Sequence, residues 1–84
     1  MLYFLDCYNN KITCKEAFKE ITNGGSCKAV IGNNIAYIEK KDNRIYYSVV
    51  YKDEIYTYFA DSVKEALRCA INYITTDYYN ECCA

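Results

Sequence analysis

Residues 62–79 read SVKEALRCAINYITTDYY, and this stretch decides the fold. Ser62 and Glu65 have capping-box spacing, in which each side chain satisfies a free backbone N–H at a helix start. Val63, Ala66, Leu67, Ala70, Ile74 and Tyr78 then recur at three- and four-residue steps, which places them on one helical face. Lys64, Arg68, Asn72 and Thr75 fall on the other. Such a segment forms a rod of roughly 27 Å, long enough to cover a small sheet.

The residues before the rod supply that sheet. RIYYSVVY (44–51) and EIYTYFA (54–60) are rich in aromatic and β-branched residues and read as strands separated by a tight Lys52-Asp53 turn. IAYIEK (35–40) is a further strand, closed by Lys41-Asp42-Asn43. KAVI (28–31) is another, with Gly32-Asn33-Asn34 reading either as a turn or as a bulge within one longer strand. Links this short make sequential strands antiparallel. In 44–51 one face carries Ile45, Tyr47, Val49 and Tyr51, and the other carries Tyr46, Ser48 and Val50. Two helices cover one face of such a sheet, so exposed tyrosine is expected on the other face or on the helix tail.

Upstream, LYFLDC (2–7) reads as a short strand and YNNKI (8–12) as a turn-rich link. Thr13 and Glu16 form a second capping box opening TCKEAFKEIT, with Cys14, Ala17, Phe18 and Ile21 on one face and expected in the core. Asn23, Gly24 and Gly25 end that helix, because both residue types tolerate a left-handed backbone. The openings TCKEAFK and SVKEALR are alike, through either an internal duplication or the shared demands of capping. The expected architecture is therefore one α+β domain over residues 1–84, in the order β-α-β-β-β-α. It is an antiparallel meander of three to four strands packed by a long C-terminal helix and a shorter N-terminal one. Asp77 and Glu81 sit near the negative end of the helix dipole, which predicts a frayed tail over 79–84.

The chain has 84 residues, a formal net charge of −1 and 52% hydrophobic residues, inflated by eleven tyrosines. That bounds it to one modest core. It also argues against a general phosphate-binding surface, though not against a local patch. No stretch reaches the roughly 18 apolar residues of a membrane span. MLYFLDC lacks the basic start of a signal peptide and meets Asp6 early. A cytoplasmic location, with the six cysteines reduced, is the expectation.

Candidate chemistry is sparse. There is no His and no Cys-x-x-Cys pair, and Cys82-Cys83 are adjacent, a poor geometry for a structural zinc site, so no metal is expected. Cys14, in a first helical turn, is the one candidate nucleophile, and its ordinary alternative is a small core residue. Asp53, Glu54, Asp61 and Glu65 cluster in sequence, but Asp53 suits a turn and Glu65 a cap. Gly24-Gly25-Ser26 lacks the Lys of a phosphate loop and follows a helix, so no nucleotide cofactor is implied. Lys40, Lys41 and Arg44, with Tyr47, form a basic-aromatic group able to stack on and neutralise a nucleic acid strand, or simply a solvated sheet edge. The tyrosines are the least ordinary feature, since Tyr offers a large rigid surface with a polar tip and is enriched at interfaces. Tyr46, Tyr56, Tyr58, Tyr78 and Tyr79, with Asp53 and Glu54, are the candidate partner-binding residues.

Three resemblances accompany these residues. The order helix, three-stranded meander, helix, closed by SVKEALRCAINYI, resembles the double-stranded-RNA-binding domain, with Ser62, Lys64 and Ala66 matching its closing helix. YYSVVYKDEIYTYFADSVKEAL resembles HicB-type antitoxin sheets. Both imply a nucleic-acid-binding or antitoxin-like regulator. In size, acidity and Tyr/Asn/Lys/Ile-rich style the chain is similar to phage and mobile-element anti-CRISPR inhibitors. That likeness implies a non-enzymatic protein that binds a nuclease or effector complex in a host cytoplasm. Protein binding is the leading expectation.

Overall fold

The computed structural model describes the backbone of residues 1–51 and 53–83 and the side chains of residues 1–50 and 53–75. The elements run β1 (Leu2–Asp6), β2 (Lys11–Ile12), α1 (Cys14–Thr22), β3 (Ser26–Ile31), β4 (Asn34–Lys41), β5 (Arg44–Tyr51), β6 (Glu54–Ala60) and α2 (Val63–Cys83). They form a small α+β domain with one six-stranded sheet in the order β2-β1-β3-β4-β5-β6, every neighbouring pair antiparallel.

The sheet has more strands than the expected three or four, for two local reasons. Asp6 Oδ1 accepts hydrogen bonds from the backbone N–H of Tyr8 and of Asn10, both at 2.9 Å, and Asn9 sits at φ 66°. This aspartate-centred turn reverses the chain, so Lys11 and Ile12 pair with Leu5 and Phe4 rather than forming a link. Gly32 supplies a turn, not a bulge. Ile31 lies opposite Asn34, and Gly32 at φ 58° opens the two-residue connection as a type II′ turn requires. Asp42 and Asn43, at φ 54° and 62°, make the next connection, the left-handed pair of a type I′ turn.

Both helices begin as their capping residues dictate. Thr13 accepts from Glu16 N–H while Glu16 accepts from Thr13 N–H, a reciprocal box. At α2, Ser62 Oγ accepts from Glu65 N–H at 3.1 Å, but Glu65 reaches one residue further back, to Asp61 N–H at 2.9 Å. The helical backbone of α2 runs through Cys83.

Cross-strand partners share a face of a sheet, so the register sorts every side chain. Phe4, Cys27, Ala29, Ala36, Ile38, Tyr47 and Val49 point to one side and form the core with Ala17 and Ile21 of α1 and Val63, Ala66, Leu67, Ala70 and Ile74 of α2. The Asn34 side-chain N–H donates to the Ile74 carbonyl at 3.0 Å, tying the start of β4 to α2. Cys14 and Phe18 do not join the core. Both are exposed, Phe18 by 44%, because only Ala17 and Ile21 of α1 point straight at the sheet. Cys14 and Phe18 line an apolar groove between the helices instead.

Candidate functional site

With both helices on one side, the other face of the sheet has no helix over it. Its side chains follow from the register. Tyr3, Val30 and Ile35 lie in one row, continued by Val50 and Ile55. Leu5, Lys28, Tyr37, Ser48 and Thr57 form the next. Ser26, Glu39, Tyr46 and Phe59 form a third, and Lys41 faces Arg44 beyond it. The exposed apolar residues concentrate toward β6: Tyr37 42%, Val50 38%, Ile55 69% and Phe59 66%. Val30, 5% exposed, is the exception, closed in between its cross-strand neighbours Tyr3 and Ile35.

Three cations on this face sit over rings. Lys11 Nζ is 4.9 Å from the Tyr3 centroid, Lys28 Nζ 5.9 Å from Tyr37, and Arg44 Cζ 5.8 Å from Phe59. At exposed positions each such pair contributes on the order of 0.5–1 kcal/mol, enough to bias a rotamer but not to lock it. Lys28 is further steered by Asn9 Oδ1 at 2.7 Å, and Ser48 and Thr57 share a hydroxyl hydrogen bond at 2.9 Å. Lys28, Tyr37, Glu39, Tyr46 and Ser48 border a shallow depression of about 210 Å³. The face is thus apolar toward β6 and basic-aromatic toward β1 and the Lys41–Arg44 end.

The candidate partner-binding residues are divided between the two faces. Tyr46 is on the bare face, half-buried, its ring 5.0 Å from that of Phe59. Tyr56 and Tyr58 project from β6 to the helix-bearing side. The Tyr56 hydroxyl donates to Glu54 Oε2 at 2.7 Å. Tyr58 stacks between Tyr47 and Tyr73, with centroids 5.3 and 5.0 Å away. Asp53 is an exposed turn residue at φ 65°. Tyr78 and Tyr79 fall in α2, and their side chains lie outside the described residues. The basic-aromatic group also divides: Lys41 and Arg44 face each other across β4 and β5 on the bare face, while Lys40 and Tyr47 alternate to the other. Tyr47 is 7% exposed beneath α2, so it offers no ring to a surface ligand. Sequence reasoning missed Tyr3, Lys11, Lys28, Tyr37 and Phe59. The alternation that places Lys28 and Tyr37 with Tyr46 was readable, but only once the register between strands was known.

The thiols offer little chemistry. Burial, reinforced by Cys14 and Glu20 nearby, pushes the Cys27 thiol up to about 12, which keeps it protonated and unreactive. Among the described residues no group of three or more Cys, Asp or Glu could hold a metal ion, and none of the described helical segments is long and apolar enough to cross a membrane. Comparison of the chain with protein-family models, curated proteins and solved structures gives no significant match.

Proposed function

We propose that this chain is a non-enzymatic protein-binding module whose contact surface is the bare face of its sheet. The observation that supports the reading is the set of exposed apolar side chains on that face, Val50 and Ile55 on one side of the Ser48–Thr57 hydroxyl pair, Phe59 on the other and Tyr37 beside it. Apolar side chains left together on a surface carry a cost in water that a partner removes. Aromatic anchors rimmed by Lys and Arg have the composition of an interface centre and its border. The likeness in style to phage and mobile-element inhibitors makes a prokaryotic defence nuclease or effector complex the first partner to test. The action there is stoichiometric blocking.

A second reading is favoured by one observation: Lys11, Lys28 and Arg44 each pair with a ring on the same sheet face. Rings for stacking and cations for phosphates are what a single-stranded nucleic acid needs. A salt titration separates the two. Binding of an oligonucleotide through phosphates weakens steeply as salt rises, whereas an apolar protein contact through Val50, Ile55 and Phe59 holds.

The direct test is capture from a prokaryotic lysate by the native chain, by a Val50→Lys/Phe59→Lys variant and by a Lys15→Glu/Arg68→Glu variant on the helices. A protein retained by the native chain and the helix variant, and lost by the sheet variant, supports the reading. Retention by the sheet variant removes it.

A further inference from the structure

We infer that β6 is a self-association edge, through which two copies of the chain join by antiparallel β6–β6 pairing into one continuous sheet. The two edges of the sheet are built differently. β2 is two residues long and carries Lys11, both ordinary ways of blunting an edge. β6 is seven residues long, EIYTYFA, with no Lys, Arg or Pro. Its register with β5 runs without a bulge from Ile45–Ala60 to Tyr51–Glu54. No described strand covers its outer side. Among the described residues the strand carries a single charge, Glu54 at its turn end, and no Lys, Arg, Pro or bulge, and Ile55 and Phe59, exposed by 69% and 66%, lie on it.

The hydrogen-bonding phase of β6 is fixed by its hairpin. Tyr51 and Glu54 are the opposed residues next to a two-residue connection, which makes them a hydrogen-bonded pair. Bonded pairs alternate along the ladder, so Glu54, Tyr56, Tyr58 and Ala60 turn their backbone groups to β5. The close Ser48–Thr57 hydroxyl contact, 2.9 Å, fits the intervening non-bonded position. Ile55, Thr57 and Phe59 therefore point their N–H and C=O groups outward.

The sequence around Thr57 is nearly palindromic: Ile55-Tyr56-Thr57-Tyr58-Phe59. Antiparallel pairing about a two-fold axis at Thr57 sets Thr57 opposite Thr57 of the second copy, and Ile55 opposite Phe59. These are the residues with outward backbone groups, so hydrogen-bond phase and side-chain match agree on one register. On the bare face Ile55 of each copy then meets Phe59 of the other, and the Ser48–Thr57 contact extends into a hydroxyl row across the axis. Moving the axis one residue toward the turn keeps the bonding phase but sets Asp53 opposite Phe59 and separates the apolar pair. In the favoured register Asp53 comes opposite Asp61 at each end, and their repulsion makes the association firmer as salt rises. α2 packs mainly on β4 and β5 and meets β6 through the Tyr58–Tyr73 stack on the helix-bearing face. Because β2 is blunted, the contact closes as a two-fold dimer and does not propagate.

The inference shares Ile55 and Phe59 with the proposed contact face, but its readouts are the mass and amide exchange of the chain alone, so its failure and the failure of that reading are distinguishable. It is tested on the full chain by sedimentation equilibrium over a concentration series, with amide hydrogen exchange read by NMR at each end of that series. The expected result is a concentration-dependent doubling of mass, with the Ile55, Thr57 and Phe59 amides protected only in the heavier species. Thr57→Pro removes an outward N–H without touching the β5 ladder, a tolerated use of proline on an edge strand. It is expected to weaken association by at least about tenfold. Ile55→Lys, at a solvent-facing position, is expected to do the same and decides the matter if Thr57→Pro fails to fold. A monomer mass throughout the series, a dimer whose Ile55, Thr57 and Phe59 amides exchange freely, or undiminished association in a folded variant would overturn the inference.

Discussion

Tyr58 of β6 and Tyr73 of α2 stack with ring centroids 5.0 Å apart and planes 19° from parallel. Tyr47 meets both rings, at 5.3 and 6.0 Å. The cluster fastens the edge strand to the long helix, with Tyr58 half-buried between the other two rings. Tyr58→Ala is expected to cost about 1–3 kcal/mol, each aromatic pair being worth about 0.5–1.5 kcal/mol beyond buried area. Urea unfolding of Tyr58→Ala, Tyr73→Ala and the double variant checks it through a coupling energy in that single-pair range. No coupling would mean the rings act independently.

Asn34 is the polar counterpart of that fastening. Its side chain donates to the Ile74 carbonyl at 3.0 Å across the core boundary. Asn34→Ala is expected to destabilise the fold by about 1 kcal/mol, the ordinary net worth of one hydrogen bond. Asn34→Asp replaces the donor with an acceptor facing a carbonyl and is expected to cost more. Thermal melts of the two variants give the ordering, and equal melting temperatures would show that the bond contributes nothing.

Ile38 lies at the centre of the core and is fully buried between the sheet and α2. Ile38→Ala is expected to cost about 2–5 kcal/mol by lost burial and a residual cavity. Domains of this size have total stabilities of roughly 5–15 kcal/mol, so the variant should lose a large share of its margin and show a greater unfolded fraction than the native chain at a given urea concentration. Circular dichroism measures that fraction directly.

Alkaline stability reports on two buried acids. Burial pushes both the Cys27 thiol and the Tyr47 phenol up to about 12, from ordinary values of 9.0 and 10.0, with Cys69 adding to the effect on Tyr47. Each is neutral when protonated, and the folded state holds the proton more tightly than the unfolded chain does. Their contribution is therefore intact below pH 9 and is lost as pH rises through about 12. Urea midpoints should be flat from pH 7 to about 8.5 and fall above 9. A Cys27→Ala/Tyr47→Phe variant should show a shallower fall, and an unchanged slope would assign the alkaline loss to other groups.

Much of this architecture was legible because local chemistry specified it. The two Ser/Thr-x-x-Glu boxes marked both helix starts, and Asp42-Asn43 marked a turn where left-handed backbone is needed, whereas Gly32 read equally as a turn or a bulge until its pairing was known. β2 was not legible, since two residues carry no periodicity and the Asp6 turn that creates it is made by one side chain. The candidate surface was half legible. Alternation correctly separated Ile45, Tyr47 and Val49 from Tyr46, Ser48 and Val50. Which set faced the helices depended on packing, and grouping Tyr46 with Tyr56 and Tyr58 needed a register that sequence does not carry. Cys14 and Phe18 departed from the expected core because a nine-residue helix at the edge of the layer buries a narrower stripe than its periodicity suggests.

The use of the bare sheet face is tested most directly by the three-way capture experiment, native chain against the Val50→Lys/Phe59→Lys and Lys15→Glu/Arg68→Glu variants. Each variant is first shown to fold by circular dichroism. The expected result is a protein held by the native chain and the helix variant and absent from the sheet variant. A protein held equally by the sheet variant, or lost only when Lys15 and Arg68 are reversed, would place the contact on the helices and contradict the assignment.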